Sequence, residues 1–167
     1  MEMEELIEIL NAREEQKRVF EDDQEEMSLG DILSEDVKTW MESDGGRSKY
    51  FKGTASDCAA RAMAIALNKD YKECYNELAE ANKRLTGKKS ARNGIWKESF
   101  EEVLLKYGWV WHPAPKFNGR RAKHFDMPFG RVIARMRRHY AAVIDGVIHD
   151  SWDSSERMIY GYWAKEN

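Results

Sequence analysis

At 167 residues and 42% hydrophobic side chains, the chain is long enough for one compact domain with a real core and short for a second. It holds no run of roughly 18 apolar residues that would span a membrane, and its acidic opening MEMEELIEIL lacks the basic and apolar regions of a signal peptide. We therefore expect a soluble, cytoplasmic protein. The net charge of −3 hides an asymmetry: residues 1–46 carry sixteen acidic and four basic side chains, and the rest of the chain fourteen and twenty-three. Two cysteines, Cys58 and Cys74, make neither a disulfide framework nor a metal cluster, so free thiols are expected.

The acidic piece, taken as an N-terminal arm over 1–46, opens with a helical pattern in which Leu6, Ile9 and Leu10 form a narrow apolar stripe. A second helical pattern, SLGDILSEDVKTWMES, places Leu29, Ile32, Leu33, Val37, Trp40 and Met41 at helical spacing. The flexible SDGGRS then marks the boundary to a body over 47–167. The favoured expectation is that these stripes pack on the basic body or mediate self-association; the sharper one is an autoinhibitory arm or one that docks a protein partner.

The body begins with a helix, CAARAMAIAL, capped by Ser56 or Asp57 and apolar nearly all round apart from Arg61, as a buried helix is. Cys58 sits in its first turn, where orphan N–H groups and the positive end of the macrodipole favour a thiolate over a thiol. Asn68 or Asp70 starts a second helix with Tyr71, Cys74, Leu78 and Leu85 along one stripe. Cys74, in mid-helix, reads as core filler. Asn93 caps a third helix through Trp96, Phe100, Val103, Leu104 and Tyr107, which Gly108 stops.

WVWH reads as a strand, and the long connection PAPKFNGRRAKHFDMP after it is of a length often functional in a small domain. RVIARMR is read as a strand because Val132 and Ile133 are β-branched and it leads directly into another at His139. RMIYGYWAK is the last strand. The cations Arg120, Arg121, Lys123, Arg131, Arg135, Arg137 and Arg138 have aromatic neighbours, but no nucleic-acid motif organises them, and a solvated basic face is the favoured reading. His112, His124 and His149 form no ligand spacing with either cysteine, so neither a metal site nor a cofactor is expected.

The stretch HYAAVIDGVIHDSWD carries the chemistry. A type I′ turn at Asp145-Gly146 sets Ile144 opposite Val147, Ala141 opposite Asp150 and His139 opposite Trp152. His139 and Asp150 then share a face as diagonal neighbours, about 7 Å apart at Cβ. His149 and Asp153 point the other way. A histidine oriented by an aspartate, together with a thiol at a helix N-terminus, is the set that nucleophilic catalysis requires.

The order Cys58 at the start of a buried helix, His139 opening a strand, then Asp150-Ser151-Trp152 on the next strand resembles the papain-like cysteine peptidase superfamily. The finer pattern is similar to small papain-like proteins of bacteria and phages. The likeness covers roughly residues 47–155. It implies an α+β fold in which the cysteine-bearing helix packs on a small antiparallel sheet. Cys58 would be the nucleophile of a peptidase or isopeptidase acting on a protein or peptide substrate, His139 the general base and acid, Asp150 the orienting group and Trp152 its shield from water. Transglutaminase-type and acetyltransferase-type enzymes use the same three groups. One departure stands out: the superfamily places an oxyanion-hole glutamine shortly before the cysteine, and KGTASDC has none. The Cys58 backbone N–H, with Thr54 or Ser56 as second donor, would have to serve. A binding protein that keeps the frame without the power is the alternative.

Overall fold

The computed structural model describes residues 2–8, 38–53 and 55–166. The chain divides into two units at Val37/Lys38. In the first, residues 3–8 are helical with exposed side chains. The rest of the expected arm, residues 9–37, and the candidate Thr54 lie outside the described residues. No helix among the described residues is long and apolar enough to cross a membrane.

The second unit is a mixed α+β body. Its strands are β1 (Trp40–Glu42), β2 (Trp109–Pro113), β3 (Arg131–Met136), β4 (His139–Ile144), β5 (Val147–Asp150) and β6 (Gly161–Lys165). Its helices are α1 (Cys58–Leu67), α2 (Tyr71–Thr86) and α3 (Lys97–Lys106). The strands make one sheet in the order β1-β5-β4-β3-β6-β2, antiparallel throughout except for the parallel pair β1 and β5. Trp40 and Met41, expected on a helix, thus lie on an edge strand, and the body begins at Lys38 rather than 47. The helical spacing of three apolar residues there is outweighed by pairing with β5, a tertiary term that a local pattern does not contain.

The helices cover one face of the sheet. Met63, Leu78, Phe100, Val103 and Leu104 meet Ile133, Ala142 and Trp163 in the larger core. The opposite face, with Val132, Ala134, Met136, Ala141, Val143 and Ile148, is closed by Ala122, Met127 and Ile159. The long connection before β3 therefore covers a core. Its Arg120 is held by both oxygens of Asp126, at 2.6 and 3.0 Å.

Local chemistry explains most boundaries. Asp70 caps α2 by accepting from the Glu73 N–H, and Gly87 ends it in the left-handed region. Leu85, in the last turn of α2, is exposed rather than part of the buried stripe. Asn93 does not cap α3, whose N-cap is Trp96 without a side-chain cap bond; Asn93 instead bridges to Ser56, and Trp96 is exposed. Asp145 and Gly146 both take positive φ, as the type I′ turn requires, and Ile144 faces Val147 as expected. The last strand is shorter than RMIYGYWAK, since Ile159 makes only an isolated bridge to Ala122.

Gly161 opens β6 beneath the indole of Trp111, and a Cβ there would lie 2.2 Å from that ring. Gly161→Ala is expected to destabilise the fold by at least about 1–3 kcal/mol through overpacking, measured as a lower urea midpoint at unchanged slope.

Candidate active site

His139 opens β4 and Asp150 closes the antiparallel neighbour β5, so both stand at the same end of the sheet. The N-terminus of α1 meets that end. His139 Nε2 lies 2.5 Å from Asp150 Oδ2, both side chains being buried. The Cys58 thiol stands close enough to the ring to raise its affinity for a proton. The three groups expected from the sequence are therefore brought together. Cys58 itself is half-buried.

The ring feels opposed forces. Burial is the largest and disfavours the imidazolium, but hydrogen bonds and charge from Asp150 and Cys58 together outweigh it and raise the His139 pKa above the ordinary value. Trp152 lies against the ring, with centroids 4.7 Å apart, and its outer side meets the Arg157 guanidinium. It does so from beyond the end of β5, not from the strand position opposite His139. Ser56 is exposed, and its backbone bridges to Asn93.

Asp150 is fully engaged. Besides His139 it accepts from Arg61 Nη1 at 2.8 Å, the Ser151 N–H at 2.7 Å and the Ser154 hydroxyl at 3.1 Å. Its backbone carbonyl accepts from the Ser43 N–H and from Trp40 Nε1, tying it to β1 and the turn that follows. Such a set fixes the carboxylate before any substrate arrives.

Asp57, one residue before the thiol, is the N-cap of α1 by position but makes no cap bond with its side chain. The buried carboxylate turns away instead. Its Oδ1 takes Arg61 Nε at 2.9 Å, its Oδ2 takes Arg47 Nη1 at 3.1 Å, and the Tyr71 hydroxyl donates to the same Oδ2. Burial and the bond to Asp57 raise the Tyr71 pKa, so the phenol keeps its proton. Two consequences follow. The charge of Asp57 is neutralised by two guanidiniums, and the first-turn N–H groups of α1 beside the thiol are not capped by it.

Arg61, Arg47 and Tyr71 were not singled out as site residues from the sequence. Arg61 had a signal: one cation in an otherwise apolar helix, four residues after Asp57, needs a carboxylate partner. Arg47 had none, standing in what reads as a linker. Cys74 is fully buried, and burial pushes its thiol up to about 12. Comparison of the chain with protein-family models, with curated proteins and with solved structures returned no match.

Proposed function

We propose that the protein is a thiol-dependent acyl-transfer enzyme with a papain-like arrangement, most simply a peptidase or isopeptidase. The observation that carries this reading is one buried imidazole held by a fully bonded carboxylate, with a half-buried thiol near enough to raise its affinity for a proton. Cys58 gives its proton to His139 and the thiolate attacks a peptide carbonyl, forming the C–S bond and an oxyanion. The oxyanion faces the uncapped N–H groups of the first turn of α1. Collapse breaks the C–N bond, and His139 returns the proton to the departing amine. Water, deprotonated by the same imidazole, then cleaves the thioester; an amine acceptor in place of water would make the enzyme a transferase. Asp150 holds the ring with Nε2 occupied throughout, so that proton exchange happens on the other nitrogen.

The test is iodoacetamide labelling of the native protein between about pH 5 and pH 9, read by peptide mass spectrometry. Cys58 is expected to react at a rate that holds below neutral pH, whereas Cys74, buried and protonated, stays unlabelled until the protein unfolds. A Cys58 no more reactive at pH 6 than an ordinary thiol would remove the enzyme reading.

A further inference from the structure

Four buried ionised groups run in line behind the candidate site: Arg47, Asp57, Arg61 and Asp150, followed by His139 and Cys58. Charges alternate along the line. Arg61 is its centre, with Nε on Oδ1 of Asp57 and Nη1 on Oδ1 of Asp150, while the other oxygen of Asp150 belongs to His139. A buried chain of ions is a poor device for stability, because desolvation offsets much of the Coulombic gain. Its position behind the imidazole points to a different use.

A carboxylate whose whole charge fell on His139 would hold the imidazolium too firmly for it to release a proton near neutral pH, where general acid-base exchange works best. We propose that Arg61 is a positioning residue that takes one oxygen of Asp150 and so divides its charge, keeping the His139 ring able both to accept a proton from Cys58 and to give it back. The purpose assigned to Arg61 rests on the nucleophile reading above. Asp57 completes the device by sharing the charge of Arg61, so that the guanidinium does not cancel Asp150 altogether. The groups bearing on the ring are Asp150 from β5 and Cys58 from α1, with Arg157 behind Trp152 and Ser154 sharing Oδ2.

The proposal predicts shifts of opposite sign from two replacements along the line. The measurement is the NMR titration of the His139 ring in the full chain. Arg61→Met removes the competing cation while the Ser151 N–H and the Ser154 hydroxyl still hold Asp150, and the ring's midpoint is expected to rise by about one pH unit. Asp57→Asn, nearly isosteric, leaves more of the charge of Arg61 on Asp150, and the midpoint is expected to fall. Arg61→Lys keeps the charge and should titrate close to the unmodified protein. A ring that does not move, or moves the same way in Arg61→Met and Asp57→Asn, overturns the proposal. Should Arg61→Met fail to fold, Asp57→Asn decides alone: a fall supports the division of charge, and no change or a rise refutes it. Iodoacetamide labelling of the unmodified protein is run alongside. An unreactive Cys58 there sinks the nucleophile reading itself, whereas a reactive Cys58 with an unmoved ring sinks only the role of Arg61.

Discussion

Replacing His139 by alanine is expected to slow alkylation of Cys58 at pH 6 by on the order of a hundredfold, because an ordinary thiol of pKa about 8.5 is less than about 1% ionised there. In the unmodified protein the thiol lies against a ring whose affinity for a proton is raised by Asp150 and by Cys58 itself. On the proposed function, that ring is the group that takes the thiol proton. The alanine variant removes the proton acceptor and leaves only the helix terminus, so its rate should climb with pH as a free thiol does. A rate at pH 6 that survives His139→Ala would mean that the thiol is activated by something other than the imidazole.

The same ring couples to folding with a definite sign. Its folded pKa is raised above the unfolded value of about 6.5, so it contributes stability in full below that pH and loses it as pH rises through the raised value. Relative to His139→Ala, the unmodified protein should have a margin in acid that shrinks toward alkaline pH. On the proposed function, acyl transfer should fall over that same alkaline window, since a neutral ring has no proton for the leaving amine.

The second large effect belongs to Trp163. This indole is buried on β6, 4.7 Å from the Trp111 ring, 5.3 Å from Phe100 and 5.7 Å from Tyr140. Trp163→Ala is expected to cost about 3–5 kcal/mol, a drop in melting temperature of about 10 °C or more. Trp163→Phe should cost far less. Its Nε1 finds no hydrogen-bond partner among the described residues, so the buried N–H is itself a penalty that phenylalanine removes. Thermal denaturation of the pair separates volume from polarity: equal losses would mean that the N–H is satisfied after all. Tyr140, against which the indole packs, is next to His139 on β4, so the alanine variant should also lower labelling of Cys58.

How much of this was legible follows from what each element depends on. The hairpin around Asp145-Gly146 and the helix after Asp57 are written locally, in a turn pair that needs positive φ and in an alanine-rich run, and the sequence predicts both. The shared face of His139 and Asp150 follows from counting along two paired strands, and the 2.5 Å contact agrees with that count. Trp40 and Met41 stand at helical spacing yet lie on a strand, because an edge strand of three residues carries almost no period of its own. Asp57 has the position of a cap; its partners Arg47 and Tyr71 are ten and fourteen residues away, and only the folded chain brings them in. The superfamily likeness supplied roles for Cys58, His139 and Asp150, but nothing in it pointed to Arg61.

The parallel pairing of β1 with β5 sets where the chain can be cut. The composition invites removal of residues 1–46, the acidic arm, as a way to isolate the basic body. That cut would also strip β1 and the Ser43 and Trp40 bonds to the Asp150 carbonyl, leaving β5 as a bare outer strand open to pairing with another molecule. A chain trimmed after Val37 keeps the edge covered. A loss of labelling at Cys58, or aggregation, after the longer deletion would then report damage to the sheet and say nothing about what the arm does.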